Sequence, residues 1–276
     1  MTGTIPSGIG LIAGKGVYPR LLAESARLQG VERIFAIAFK HETDPVIEQH
    51  ADETAWINLG RLGAMLDALA RSGVKHAVMA GQITPTHLFR VRMDAKMLSL
   101  LKQLEVRNAE TIFGAVGEEL RAVGIELLSA ATFMEAHMPT AGLLSARAPS
   151  EEEQADIRLG LQVASVTSGL DIGQTVVVKQ GTILAVEAFE GTDDTIRRAG
   201  RLAGAGAVVV KVAKRGHDMR FDIPVIGEKT LKLLRRIRAA VLAVEAGRCI
   251  MLEKEKLVAQ ANVMGLCLTV VDAEND

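Results

Sequence analysis

The chain has 276 residues, enough for about two domains of roughly 150 each, and 49% are apolar, which excludes a disordered polypeptide. Its 32 basic and 33 acidic residues leave a net charge of −1, so the overall balance makes no electrostatic case for nucleic acid. Aromatics at 3% supply no stacking platform for single strands either.

The first half alternates short apolar runs with helical patterns. Ile9–Ala13 reads as a strand that ends in the glycine turn Gly14-Lys15-Gly16, and a helix over Tyr18–Leu28 follows. Strands are expected at Arg33–Phe39 and Thr54–Leu59. Leu62, Met65, Leu66 and Leu69 form one face of a helix over Leu62–Arg71. A fourth strand, His76–Ala80, runs into Gly81-Gln82-Ile83-Thr84-Pro85. Helices around Ala95–Leu104 and Thr111–Val123 and a strand at Ile125–Leu128 complete the half. This rhythm predicts βαβ units and a parallel, Rossmann-like sheet over residues 1–134.

Residues 135–149 break the pattern with prolines, glycine and Ser/Thr, and read as a linker. Residues 150–276 are expected to form a mixed α/β domain. Ser150 with Glu153 is a capping-box signal for a helix over Glu151–Val166. Thr175–Lys179 and Thr182–Ala188 read as β-branched strands joined by the two-residue turn Gln180-Gly181. Thr192–Leu202 and Glu228–Val241 read as helices, and Ala207–Ala213 as a strand, before further alternation to Val271. Cys249 and Cys267 lie in apolar stretches with no Cys-x-x-Cys pair, which fits a reducing compartment. With no basic leader and no apolar run near ~18 residues, a cytoplasmic protein without signal peptide or membrane span is expected.

Four segments carry chemistry. Gly14-Lys15-Gly16 sits where a phosphate-cradling turn belongs, between a first strand and a helix. Pro19 replaces the third glycine of a dinucleotide fingerprint, and Lys40 and His41 stand where a ribose-binding acid belongs, so a nicotinamide cofactor is disfavoured. A ligand-free tight turn is the alternative. Gly81, Gln82 and Thr84 follow the fourth strand and offer close backbone approach and neutral hydrogen-bonding groups to a base or sugar. Glu187, Glu190, Asp193 and Asp194 either supply oxygen ligands to Mg²⁺ or complement a helix dipole. Lys211, Lys214, Arg215 and His217 form a basic turn suited to phosphates, and Asp222 stands between Phe221 and Ile223-Pro224 as a metal ligand, a partner for water, or a paired strand-end acid. Residues 151–194 hold nine acids against two bases, and residues 197–238 twelve bases against three acids. This pattern reads as helix surfaces, or as a site holding a charged substrate with a divalent cation.

Five motifs fall in one order: Gly10-Leu-Ile-Ala-Gly14-x-Gly16-x-x-Pro19, Ala80-Gly81-x-x-x-Pro85, Gly169-Leu-Asp171-Ile-Gly173-Gln174, Leu184-Ala-Val-Glu187-Ala-x-Glu190-Gly191-Thr192-Asp193 and Phe221-Asp222-Ile-Pro224-x-Ile-Gly227. Together they resemble the UDP-2,3-diacylglucosamine diphosphatase family of lipid A biosynthesis, the type unrelated to calcineurin-like metallophosphoesterases. No Asp-x-His or Gly-Asn-His-Asp motif of the latter is present. The departures fall in Gln82 and Thr84–Leu88, a loop where family members vary. The resemblance implies Mg²⁺-dependent hydrolysis of UDP-2,3-diacylglucosamine to UMP and 2,3-diacylglucosamine 1-phosphate (lipid X), with water attacking the α-phosphorus. It implies Asp222 as catalytic residue, Asp193 and Asp222 as metal ligands, and Gly14, Gly16, Gly81, Gln82, Gln174, Thr175, Glu187, Gly191, Thr192, Lys211 and Lys214 as substrate-binding residues. It further implies a nucleotide-binding first domain and a catalytic and lipid-binding second one, a homodimer, and peripheral contact with the cytoplasmic face of the inner membrane. A nucleotide-sugar oxidoreductase and a non-catalytic nucleotide or lipid sensor are the alternatives from other classes.

Overall fold

The computed structural model describes residues 5–83, 92–106, 108–214, 218–221 and 223–272, apart from the side chains of Ala109 and Ala203. Thr84, Pro85, Leu88, Arg215, His217 and Asp222, singled out above, lie outside the described residues. The chain divides into two compact units, Met1–Met134 with Asp218–Asp222, and Glu135–His217 with Ile223–Asp276.

The first unit runs β1 (Gly8–Ala13), α1 (Tyr18–Leu28), β2 (Arg33–Phe39), β3 (Glu53–Ile57), α2 (Leu62–Ser72), β4 (His76–Ala80), α3 (Ala95–Gln103), α4 (Ala109–Ala122) and β5 (Glu126–Leu127). Its five strands pair in parallel in the order β3-β2-β1-β4-β5. β1 and β2 are apolar almost throughout because both faces of such a sheet are covered. The four residues expected on one face of α2 are all buried with Ile37, Phe39, Met97 and Leu120, and Gly73 ends the helix at a φ of 76°. The order of connection reverses between β1 and β4, the place where such sheets open a crevice at their carboxyl ends. Residues 218–221 belong to this unit through local contacts. The Met219 carbonyl accepts from Ala130 N at 2.8 Å and Ser129 Oγ at 3.1 Å, and the Phe221 ring lies 5.8 Å from that of Phe113.

The second unit comprises β6 (Gly142–Leu143), α5 (Glu151–Gly169), β7 (Thr175–Lys179), β8 (Thr182–Val186), α6 (Thr192–Ala203), β9 (Val208–Lys211), β10 (Val225–Ile226), α7 (Glu228–Ile237), β11 (Val241–Glu245), β12 (Ile250–Met251), α8 (Lys254–Met264) and β13 (Cys267–Val271). Six strands form a mixed sheet in the order β6-β13-β11-β9-β7-β8, and β10 pairs with β12 separately. Alternate residues of the central strands feed two cores. Val177, Val209, Leu242 and Val244 pack with α6, α7 and α8, while Val176, Val178, Val210 and Ala243 pack with Ile157 and Ala164 of α5. Cys249 and Cys267 are packing residues, and burial pushes their thiols up to about 12 and about 11.

The expected fold class is what the structure shows, a parallel-sheet first unit and a mixed second unit with the β7–β8 hairpin. The hairpin turn has left-handed φ values of 50° at Gln180 and 70° at Gly181, and both of their N–H groups donate to the buried Asp156 carboxylate, at 2.8 and 2.7 Å. The capping box also forms: Glu153 N donates to Ser150 Oγ at 3.2 Å, and Ser150 N donates to Glu153 Oε2 at 2.9 Å. Three boundaries are corrected. The helix expected over Glu228–Val241 ends at Ile237, because Arg238 turns left-handed at a φ of 52° and the chain enters β11. The helix from Glu151 runs a turn longer, to Gly169. Gly142–Leu143, in the segment read as patternless, adds an antiparallel edge to β13.

Candidate functional site

In the second unit β8, β9, β11 and β13 run in one direction and β7 runs against them. The carboxyl ends of those four strands and the amino end of β7 therefore share one edge. Lys211 closes β9, Glu245 closes β11, Glu187 follows β8, and Thr175 opens β7 in register with Lys211. Ligands of α/β sheets collect at such carboxyl edges. Gly191, at a φ of 80°, turns the chain so that α6 also begins here, and no side chain caps its first N–H groups.

Thr192 organises this edge. Its hydroxyl donates to Glu187 Oε1 at 2.9 Å and accepts from Lys211 Nζ at 3.1 Å; with its single proton committed, it also accepts from Thr175 Oγ1 at 3.3 Å. Glu187 is 7% exposed and Lys211 8%, so a carboxylate and an ammonium are buried on either side of one hydroxyl. Among the described residues, Glu187 Oε2 and Gln174 Oε1 are buried without a hydrogen-bond partner. Gly173 permits the local geometry: a Cβ there would lie 2.1 Å from the Glu187 carbonyl oxygen. Lys214 pairs with Asp171 at 2.9 Å. Glu245, which the sequence reading passed over, is buried and accepts from Ala213 N at 2.7 Å, fixing the turn that carries Lys214. The available signal was one acid closing the apolar run Val241-Leu-Ala-Val.

The acidic turn has a different character. Glu190 pairs with Arg198 at 2.6 Å, Asp194 with Arg197 at 2.6 Å, and Asp193 with Lys229 at 2.6 Å and Arg197 at 3.9 Å. The Arg198 guanidinium holds the Glu190 carboxyl below the usual range. At this turn the acidic and basic blocks of the sequence meet as ordinary surface ion pairs. Among the described residues no group of three or more His, Cys, Asp or Glu side chains is placed to hold a metal. Asp193 is half-buried in its pairs while Lys229 is exposed, and such surface pairs are worth about 1 kcal/mol or less each. A single carboxylate suits Mg²⁺, which takes one or two carboxylates and fills its shell with phosphate and water.

In the first unit the two glycine loops expected to bind nucleotide are stitched together. Gly14 N donates to Ala80 O at 2.7 Å, Lys15 N to Gln82 O at 2.7 Å, and Gln82 N to Lys15 O at 3.1 Å. A Cβ on Gly14 would lie 2.8 Å from Gln82 O, and one on Gly81 2.8 Å from Lys15 O. Close approach of the loops accounts for both glycines, and the N–H groups of Gly14 and Lys15 are engaged rather than offered to a phosphate. Gly16 differs: it has a φ of 96° and open space around the Cβ position, at the side-chain-uncapped start of α1. Among the described residues, no side chain caps the helix that starts just after Gly16.

The molecule is thus an α/β protein of two units, each presenting loops at the carboxyl edge of its sheet, the second with a buried acid–hydroxyl–lysine cluster. It belongs to the LpxI family: the family's N-terminal domain matches residues 8–137 and its C-terminal domain residues 140–269. A curated relative, the UDP-2,3-diacylglucosamine pyrophosphatase LpxI of Caulobacter vibrioides, is 32% identical over 278 residues, covering 96% of this chain and 98% of the relative. Among solved structures, glycinamide-RNase-transformylase T from Mycobacterium tuberculosis is 17% identical over 66% of this chain with a TM-score of 0.26. N5-carboxyaminoimidazole synthetase from Staphylococcus aureus is 13% identical over 70%, with a TM-score of 0.24. Each match spans 44% of the other chain's length.

Proposed function

We propose that this chain is a Mg²⁺-dependent hydrolase that cleaves the diphosphate of UDP-2,3-diacylglucosamine to UMP and 2,3-diacylglucosamine 1-phosphate, a step of lipid A biosynthesis. The observation that carries the reading is the buried Lys211 ammonium beside the side-chain-uncapped start of α6, at the carboxyl edge of a sheet in a chain that aligns end to end with a pyrophosphatase of that substrate. A buried ammonium and a helix N-terminus together favour a phosphate. Lys211 and Lys214 face the diphosphate, and Gln174, Thr175, Glu187, Gly191 and Thr192 line the ground next to it. Gly16 and Val17 serve the nucleotide, over a turn that Gly14, Gly81 and Gln82 hold in shape.

Asp222 is the proposed catalytic residue, orienting the attacking water. Asp193 and Asp222 are the carboxylates proposed to hold Mg²⁺, which would neutralise phosphate charge as it develops. The chain works in the cytoplasm as a homodimer in peripheral contact with the inner membrane. No helix among the described residues is long and apolar enough to cross a membrane.

The experiment is incubation of wild type and Asp222→Ala with UDP-2,3-diacylglucosamine in H₂¹⁸O, with Mg²⁺ or EDTA, and mass analysis of the products. The wild type yields UMP and the lipid phosphate with Mg²⁺ alone, and the variant is slower by about 10²–10⁴-fold with unchanged circular dichroism. Label in UMP marks attack at the α-phosphorus, and label in the lipid phosphate attack at the β-phosphorus. Intact substrate after incubation with the wild type refutes the proposal.

A further inference from the structure

Buried polar atoms in folded proteins nearly always have a hydrogen-bond partner, and each exception calls for one. Glu187 is such an exception in the second unit. It is 7% exposed, its Oε1 accepts from Thr192, and its Oε2 has no partner among the described residues. The backbone holds the residue firmly: Glu187 N donates to Thr175 O at 2.8 Å, and Gly173 presses against its carbonyl. Leaving such a buried oxygen bare costs on the order of 1–3 kcal/mol, a cost that a donor brought to it on binding would recover.

The chemistry of that ligand can be narrowed. An ionised carboxylate only accepts, so the partner brings an O–H or N–H, or is a cation. A second cation is opposed by the Lys211 ammonium, which shares Thr192 with Glu187. An anion is opposed by Glu187 itself. A neutral hydrogen-bond donor remains. Resting on the diphosphatase reading, we infer that Glu187 recognises the hexosamine ring, its Oε2 accepting a hydrogen bond from a ring hydroxyl, while Lys211 on the other side of Thr192 takes the neighbouring phosphate. In a 2,3-diacylated glucosamine joined through its first carbon to the diphosphate, the 4- and 6-hydroxyls are the ring hydroxyls left to donate, beside the N–H of the 2-acylamido group. Glu187 is thus a specificity-determining residue for the sugar.

The test is a cycle of two enzymes and three substrates. kcat/KM is measured for wild type and Glu187→Met on UDP-2,3-diacylglucosamine and on its 4-deoxy and 6-deoxy analogues, with a melting curve for each protein. Methionine keeps the length of the side chain and offers the ring hydroxyl neither an N–H nor a strong acceptor, whereas a glutamine N–H could still donate to that hydroxyl. Wild type loses roughly 10–100-fold on one analogue, and the variant loses at least that factor on the parent. The variant then treats the parent and that analogue alike within about threefold, the signature of direct coupling. Wild type that hydrolyses both analogues within about threefold of the parent overturns the inference without reference to any variant. So does a folded variant that keeps the full wild-type discrimination. A wild type that leaves the parent intact refutes the diphosphatase reading itself, a result distinct from either.

Discussion

Gly173→Ala places the smallest possible side chain at the tightest glycine of the second unit. The added Cβ would lie 2.1 Å from the Glu187 carbonyl oxygen and 2.6 Å from its carbon, where ordinary contact begins near 3.4 Å. Nothing flexible stands in the way: two backbones must part by about 1.3 Å. Its φ lies outside the left-handed range, so the penalty is one of contact and not of backbone conformation. Overpacking of this kind costs roughly 1–3 kcal/mol. Stretching the 2.8 Å bond from Glu187 N to Thr175 O adds about 1 kcal/mol, offset in part by the lower entropy of an alanine in the unfolded chain. The expected net loss is about 2–3 kcal/mol. Activity should suffer as well as stability, because Glu187 carries Thr192 and through it Lys211, and a shift near 1 Å can cost about 10²-fold. Thermal melting and kcat/KM on UDP-2,3-diacylglucosamine are the assays. Wild-type values in both would refute the claim that this close approach positions the cluster.

Asp156→Ala removes the carboxylate that accepts both hairpin-turn N–H groups, and should cost about 3 kcal/mol, or roughly 10 °C in melting temperature; Asp156→Asn, with one acceptor left, should cost about half. A loss under about 1 kcal/mol for alanine would show that water replaces the carboxylate fully. Asp193→Asn should lower the rate and be partly rescued by raised Mg²⁺, while Asp194→Asn, which gives up only an exposed pair with Arg197, should be milder. Initial rates against Mg²⁺ concentration decide this, and unchanged Mg²⁺ dependence in both variants would leave Asp222 as the remaining proposed ligand.

The fold was legible where burial imposes a period. Leu62, Met65, Leu66 and Leu69 announce α2, the near-continuous apolar runs announce a covered parallel sheet, and Gln180-Gly181 between β-branched runs announces the hairpin. The two-residue strands β6 and β10 stand outside any apolar run of strand length and were not expected, whereas the equally short β5 lies in the run Ile125–Leu128 that was. Arg238 ends α7 in a left-handed conformation without the glycine that usually marks one. The site was legible by residue type and less so by role. Glu187, Thr192 and Lys211 were all named, yet only the antiparallel register of β7 with β8 and β9 brings them to a single hydroxyl. Gly14 and Gly81 have the spacing of a phosphate cradle, but each is small because the other loop lies against it. The acidic turn drew attention through its charge, and the arginines and lysine that neutralise it lie three to thirty-six residues downstream.

The central claim is that the buried ammonium at the carboxyl edge of the second sheet takes the phosphate of the scissile diphosphate. Lys211→Met tests it most directly, since methionine keeps the length and apolar stem of a side chain that is 8% exposed while deleting the charge. The measurement is kcat/KM for hydrolysis of UDP-2,3-diacylglucosamine, with circular dichroism to establish the fold. The account predicts a folded protein slower by about 10²-fold or more. A folded Lys211→Met protein within about threefold of wild type would contradict it.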